Sequence, residues 1–352
     1  MMLARHLISI RMQTPVVVLI ALTACAAQPS RVAERDAQFG VLVMAHGGSS
    51  EWDEAVLEAV EPLRSAYPLE VAFGMADAAS LQAGVERLEA QGVRRIGVVR
   101  LFVSGESFLT RTQQIFGLRE GAPDKSPHED QDAAHEGHGM ALWKVDSRSS
   151  FALSTEGLDT APEMSEVLLD RAKTLSRNAP QEDVLILAHG PGDDLENERW
   201  LDHMDRQADR IRNELPFARV AVATLREDWP EKRGPAEDLV RGFVRTSLDQ
   251  GRTVIVLPFR VHGFGPYARV LEGMDYIADE RGLLPHEAVT RWIARQAETL
   301  RREGFSAARS HGHDFATKTR ADRPLRSNST SRCARSDRDR TTTADQRRFP
   351  CD

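Results

Sequence analysis

The stretch VLVMAHGGSS, residues 41–50, has a close counterpart later in the chain, VLILAHGPGD, residues 184–193. Each copy is a β-rich apolar run of strand length, followed by Ala-His-Gly and a turn of small residues. Unbroken apolar runs are typical of central strands in a parallel sheet that is covered on both faces. The repetition therefore predicts two related halves, each organised around one buried strand.

The segments after the two copies also correspond. Both SEWDEAVLEAVEPLRSAY and NERWLDHMDRQADRIRNEL have apolar residues three and four positions apart, as amphipathic helices do. A short strand, a second helix that ends at Gly92 or Gly251, and a third strand come next. This order predicts an α/β fold of two tandem duplicated sandwich domains with parallel sheets and right-handed crossovers.

We predict a division of the chain into two repeats and three other segments. Residues 37–123 form the first repeat, and the segment 146–305 is assigned to the second. SSFALST and the helix PEMSEVLLDRAKTL supply a last strand-helix pair before the second AHG copy, and the helix PHEAVTRWIARQAETLRREG closes the second half. Between them, residues 124–145 read as a polar linker loop rich in Pro, Gly and His. The terminal segments, 1–25 and 306–352, are expected to lie outside the folded halves.

The first 25 residues have the features of an export signal. Arg5 and Arg11 precede the apolar run PVVVLIALTA, which is too short to span a bilayer. LTAC, ending at Cys25, resembles a bacterial lipobox, so we expect a periplasmic or membrane-anchored lipoprotein whose membrane contact is a lipid at Cys25. An ordinary cleaved signal is the alternative, and a misplaced start codon would leave the protein in the cytoplasm.

Charge is distributed unevenly along the chain, whose formal net charge is −7. The segment 306–352 has 11 Lys and Arg against 6 Asp and Glu, and its few large apolar residues predict a disordered basic tail. The remainder is acidic, which argues against nucleic acid as a partner. Because Cys25, Cys333 and Cys351 all fall outside the predicted halves, metal chemistry there would use His and carboxylates.

His46 and His189 each come directly after the central strand of a half. Ligands of open parallel sheets bind beyond the carboxyl ends of the strands, so both imidazoles are candidates for a metal ligand or a general base. The alternative is a polar residue that merely satisfies a strand end, which a duplication would copy as well. In the second half, His262 comes after the third strand and Glu227 after the middle one. Two histidines and a carboxylate make a donor set for a divalent metal ion.

Together, the AHG turns, the amphipathic helices and the segment QGVRRIGVVRLFVSG resemble the class II tetrapyrrole chelatases, specifically the two-domain form of the sirohydrochlorin cobaltochelatase family. The resemblance spans residues 39–304. It implies a lyase of cobalamin or sirohaem synthesis that inserts Co²⁺, Ni²⁺ or Fe²⁺, as a substrate, into a tetrapyrrole without ATP or an organic cofactor.

The family's histidine of the AHG turn matches His46 and His189, its second histidine matches His262, and its acidic residue matches Glu227. At the first-half positions we expect Phe108 in place of the second histidine and Met75 in place of the acid. The resemblance thus implies catalysis in the second half, by His189, His262 and Glu227, with His46 as a further metal ligand.

The carboxylates of sirohydrochlorin-like substrates would need anchors in this cleft. Arg260, Arg269 and the backbone N–H groups near Gly190 are the candidates, although each arginine also fits an ordinary surface charge.

The alternative function is an exported protein that binds metal or tetrapyrrole on the same fold without catalysis. Its metal ligands would include His128, His135 and His138 of the acidic linker, a composition that often binds metal.

Overall fold

A computed structural model describes residues 39–125, 140–303 and 305 of the 352. Several predictions fall outside these residues: the export signal with Cys25, the linker histidines His128, His135 and His138, and the basic tail 306–352. Within the described part, no helix is both long enough and apolar enough to cross a membrane.

The described residues form two parallel sheets of four strands each. The first contains β1 (Phe39–Ala45), β2 (Leu69–Phe73), β3 (Arg95–Leu101) and β4 (Ser150–Leu153), in the order β2-β1-β3-β4. The second contains β5 (Glu182–Ala188), β6 (Arg219–Thr224), β7 (Thr253–Pro258) and β8 (Ile277–Ala278), in the order β6-β5-β7-β8. The predicted α/β fold of two duplicated domains with parallel sheets is confirmed.

Helices cover both sheets. They are α1 (Ser50–Val60), α2 (Ala78–Ala90), α3 (Leu109–Ile115), α4 (Glu163–Leu175), α5 (Asp194–Glu214), α6 (Pro230–Asp249), α7 (Tyr267–Val270) and α8 (Glu287–Glu303). Short 3₁₀ turns at Glu61–Ser65 and Ala179–Gln181 precede β2 and β5. Every residue of β1 and β5 is buried, which explains the apolar runs VLVMA and VLILA. Strand β5 begins with two buried carboxylates, Glu182 and Asp183.

Each half gives its last helix to the other half. Helix α4 comes after β4 of the first sheet but packs on α5 and β7 of the second, and α8 comes after β8 but packs on β3 and α1. The Thr290 hydroxyl on α8 donates to the carbonyl of Ala59 on α1 at 2.8 Å. Gly97 on β3 leaves room for this helix, because a Cβ there would lie 3.2 Å from Cβ of Leu300. The helix that was expected to close the second half therefore covers the first.

The boundary between the sheets also differs from the expected one. Residues 150–153 were assigned to the second repeat, but they extend the first sheet, with Ser150 paired to Arg95. The second sheet begins only at Glu182. One apolar core contains buried residues of both halves, from Val41 on β1 to Trp292 on α8. The two halves are thus joined by a shared core rather than by a linker alone.

Candidate functional site

A cavity of about 500 Å³ opens at the carboxyl ends of the strands, between the two halves. Its volume falls within the range of small-molecule sites, and its position is the one where open parallel sheets bind ligands. The first half contributes His46, Trp52, Met75, Phe102, Val103, Ser107 and Phe108 to the lining. The second half contributes His189, Gly190, Pro191, Gly192, Glu196, Trp200, Asp228, Trp229, Phe259, Arg260, Val261 and His262.

Most of the residues selected from the sequence meet in this cavity. They are His46, His189, Gly190, Arg260 and His262. Glu227 and Arg269 are not among the lining residues, and Arg269 is exposed on the short helix α7. The expected arginine pair is therefore reduced to Arg260 alone.

His189 is held by an acceptor at each ring nitrogen. Its Nδ1 lies 2.6 Å from the carbonyl oxygen of Gly190, and its Nε2 lies 2.8 Å from Oδ2 of Asp228. A carbonyl and a carboxylate both accept, so either ring nitrogen can donate to its partner. Asp228 is 70% exposed and is free to rotate away. A metal ion could then replace the proton at Nε2.

Glu227, the expected partner of His189, points elsewhere. Its Oε1 accepts a hydrogen bond from Nη1 of Arg260 at 2.8 Å, and its side chain is only 12% exposed. The turn explains this shift. Arg226 adopts a left-handed backbone conformation with φ 53°, and its guanidinium donates to the carbonyls of Pro191 and Gly192. Asp228, one residue beyond the expected carboxylate, is therefore the one that contacts His189.

His262 is half-buried in the loop after β7. Burial lowers the pKa of its imidazole, and the Glu51 carboxylate of the first half opposes this effect only in part. The lowered pKa favours a neutral ring, whose free nitrogen lone pair is the form that binds a metal ion.

The first-half counterpart of His262 is Ser104 rather than Phe108. Strand pairing aligns Leu101 of β3 with Ala45, and aligns Pro258 of β7 with Leu187, one residue before the end of β5. Counting onward from these pairs brings Ser104 opposite His262 and Phe108 opposite Pro266. The assignment is consistent, because Phe108 and Pro266 are the residues that precede helices α3 and α7.

The first-half wall is largely aromatic and apolar. Phe102 and Phe108 have ring centroids 5.5 Å apart, and Trp52 lies 6.3 Å from the His46 ring. Nδ1 of His46 lies 2.7 Å from the Gly47 carbonyl oxygen, just as Nδ1 of His189 approaches Gly190. The two strand-end histidines are thus oriented alike, but they have different neighbours.

Glu196, on the first turn of α5, is a lining residue that the sequence reasoning missed. Burial, followed by the negative charge of Glu106, raises the pKa of its carboxyl. Glu106 in turn joins the halves, because its carboxylate accepts two hydrogen bonds from Arg199, at 3.0 and 2.9 Å. The sequence DDLE, with Asp193 capping the helix, signals a helix start but gives no sign of a cavity.

These side chains do not form a finished metal site. Within residues 39–125, 140–303 and 305, no group of three or more His, Cys, Asp or Glu could hold a metal ion. His46, His189 and His262 share a cavity without converging on one point. A metal ion in this cleft would complete its coordination with water or with atoms of a bound molecule.

Comparison with known proteins identifies the fold. No family model matches the sequence, and no curated protein matches it either. SirB from Bacillus subtilis with Fe³⁺ is similar in structure, with a TM-score of 0.54 and 14% identity, over 78% of this chain and 98% of SirB. SirB from the subspecies spizizenii, in complex with cobalt, gives a TM-score of 0.49 at 14% identity, over 76% of this chain and 98% of that one.

DR2241 from Deinococcus radiodurans, a multi-domain protein with structural similarity to chelatases, gives a TM-score of 0.47 at 17% identity. That alignment covers 74% of this chain, which spans only 55% of the length of DR2241. The similarity to SirB shows that this chain has a chelatase-like fold.

Proposed function

We propose that the cleft binds a tetrapyrrole and inserts a divalent metal ion into it, with the chemistry in the second half. The observation that carries this proposal is the pair His189 and His262, which line one cavity together with aromatic rings from both halves. A flat macrocycle has the shape for such a cleft, because its faces pack on aromatic rings while its central nitrogens stay open to one side. The chelatase-like fold supports the same function.

The metal ion enters as a substrate and needs a temporary site. Neutral imidazoles of His189 and His262 are suitable ligands for Co²⁺, Ni²⁺ or Fe²⁺, and His46 is a further candidate on the facing half. Since these residues form no closed site, the ion retains open coordination positions that pyrrole nitrogens fill during transfer. A loosely held ion is what an insertion reaction requires, because a tightly held one would not leave.

Insertion also releases two pyrrole N–H protons, which need acceptors near the macrocycle. Glu196 and Asp228 line the cavity, and the raised pKa of Glu196 makes its carboxylate a stronger base than an ordinary one. Asp228 acts through His189, because it holds the position of the ring and accepts the proton that the metal displaces. We assign Glu227 a structural role, because it neutralises Arg260.

A metallation assay tests the proposal. Purified protein is mixed with a metal-free tetrapyrrole and Co²⁺, Ni²⁺ or Fe²⁺, and insertion is followed by the change in absorbance. We expect a rate well above the spontaneous one, which His262→Ala lowers by about 100-fold, because the metal loses a neutral nitrogen ligand. The matched control is His286→Gln, which changes a histidine that does not line the cavity. A wild-type rate equal to the spontaneous one rules out the enzyme.

The second candidate is a tetrapyrrole-binding protein without catalysis. The absence, in the described part of the chain, of three converging metal ligands favours it over storage of free metal. In the same assay such a protein shifts the absorbance of the macrocycle on binding but leaves the insertion rate unchanged.

Export belongs to the proposal as well, with Cys25 carrying the lipid. Fractionation of cells tests it: the wild type is expected with the membranes, and Cys25→Ser with the soluble fraction. A soluble wild type contradicts the anchor and leaves the chemistry of the cleft untouched.

A further inference from the structure

We infer that the tetrapyrrole of this cleft carries few carboxylates, rather than the eight of a sirohydrochlorin-like macrocycle. This inference rests on the proposed function and specifies its substrate class. It is carried by the charges of the described residues that line the cavity, among which the one arginine, Arg260, is already paired with Glu227. A substrate with many carboxylates needs a matching set of arginines or lysines.

Free positive charge is scarce in the lining. Among the residues that the structure describes, Arg260 is the only arginine or lysine that lines the cavity. Its guanidinium is already paired with the carboxylate of Glu227 at 2.8 Å, and it also lies 5.6 Å from the ring centroid of Tyr267. His189 is likewise paired, because its Nε2 lies 2.8 Å from Oδ2 of Asp228.

Three further cations close to lining residues in sequence, Arg226, Lys232 and Arg199, are also engaged with carboxylates. Arg226 and Lys232 both contact Oδ1 of Asp194, at 2.9 and 2.6 Å. Arg199, on α5, is held by both oxygens of Glu106. A ligand carboxylate would have to displace a protein carboxylate from each of them.

Negative charge, in contrast, is placed directly on the cavity. Glu196 and Asp228 line it, and Glu51 lies near enough to interact electrostatically with His262. The pKa of Glu196 is raised because burial and the negative charge of Glu106 both oppose ionisation of its carboxyl. Each further carboxylate brought in by a ligand adds repulsion at close range.

The helix ends at the cavity offer no compensation. The N-terminus of α1 is capped by Ser49, and the preceding Gly48 N–H donates to Oδ1 of Asp53 at 3.0 Å. At the start of α5, Asp193 accepts from the Glu196 N–H at 2.8 Å. These positive helix ends, which bind anions in many proteins, are occupied by carboxylates and a hydroxyl of the chain itself.

The surface that remains for a ligand is apolar. Aromatic rings from both halves line the cavity: Trp52, Phe102, Phe108, Trp200, Trp229 and Phe259. Such a wall favours the faces of a macrocycle and its uncharged substituents. Arg260 could orient a single acidic side chain of the ligand, if Glu227 shared it.

A series of porphyrins that differ in carboxylate number tests this inference. Metal-free deuteroporphyrin, coproporphyrin and uroporphyrin carry two, four and eight carboxylates, and their binding to the full chain is measured by quenching of tryptophan fluorescence. We expect the dissociation constant to rise along the series, by about tenfold from the dicarboxylate to the octacarboxylate at low salt. The difference should narrow at high salt, because ionic screening weakens the repulsion.

A charge variant sharpens the test. Glu196→Gln removes a negative charge from the lining and should tighten uroporphyrin about threefold while leaving deuteroporphyrin nearly unchanged. Glu198→Gln removes the same charge from an exposed position of the same helix and should leave the ratio of the two constants as in the wild type.

The outcomes separate this inference from the proposed function. Uroporphyrin that binds as tightly as deuteroporphyrin, or more tightly, overturns the inference and leaves the proposed function standing. Failure of all three porphyrins to bind overturns both. If Glu196→Gln and Glu198→Gln change the dissociation constant of uroporphyrin equally, the inference is also contradicted, because a charge in the lining would then repel the ligand no more than one on the surface.

Discussion

The two halves share a strand, a histidine and a glycine turn, yet their surroundings at the cavity differ. Each strand-end histidine lies beside a tryptophan ring, Trp52 for His46 and Trp229 for His189. His189 in addition has Asp228 at its Nε2 and lines the cavity with His262 and Arg260 of the same half. Asp77, at the first-half position that corresponds to Asp228, caps α2 and accepts from the Ser80 and Ala141 N–H groups. The second copy thus places a carboxylate, a second histidine and an arginine around its strand end, whereas the first has mainly apolar and aromatic neighbours at the cavity. A repeated motif therefore identifies the fold, while function depends on neighbours that the motif does not contain.

The largest expected effect is a loss of folding stability, and it tests whether the two halves can unfold separately. Trp292 belongs to α8, lies beyond the second sheet in sequence and is fully buried in the core shared by both halves. We expect Trp292→Ala to lower the free energy of unfolding by about 3–5 kcal/mol, because a large cavity replaces the indole. Urea unfolding, followed by far-ultraviolet circular dichroism and by fluorescence, measures the change.

Both probes should report one transition, since each half supplies a helix to the other. Leu239→Ala is the control, because Leu239 is 59% exposed on α6, and it should change the stability by no more than about 0.5 kcal/mol. Two separate transitions in the wild type would contradict a common core and make the halves independent domains.

The next effect compares the two strand-end histidines directly. We expect His189→Ala to lower the metallation rate by about 100-fold or more, since it removes both a metal ligand and the link to Asp228. His46→Ala, the matched change in the first half, should lower the rate by no more than about threefold. Initial rates at saturating macrocycle measure both. Equal losses would mean that the halves contribute symmetrically, and the assignment of chemistry to the second half would fail.

The strands and the strand-end histidines were predictable from the sequence. A strand that is buried on both faces consists mainly of consecutive apolar residues, and a parallel sheet places the residues that follow its strands along one edge. The exchange of α4 and α8 between the halves was not predictable, because either sheet offers an apolar face to an amphipathic helix. The reason for a glycine at position 97, which is the close approach of Leu300, is evident only from the position of α8 in the structure.

Near the site, sequence spacing also failed at the scale of single residues. The left-handed conformation of Arg226 decides whether Glu227 or Asp228 faces His189, and a non-glycine residue gives little sign of it in advance. Glu196 was missed for a similar reason, because a carboxylate on a first helical turn usually only stabilises the helix end.

The smallest expected effect separates the roles of the neighbouring carboxylates Glu227 and Asp228. Asp228→Asn should lower the metallation rate by about tenfold, because the partner that orients His189 and takes up charge near it becomes a neutral amide. Glu227→Gln should leave the rate within about threefold, since Glu227 does not line the cavity, but it should lower the free energy of unfolding by about 1–3 kcal/mol by leaving Arg260 without a charged partner. Rates and urea unfolding of both variants provide the comparison. The opposite pattern, with a large rate loss for Glu227→Gln and little for Asp228→Asn, would mean that the turn after β6 rearranges on binding and brings Glu227 to the metal.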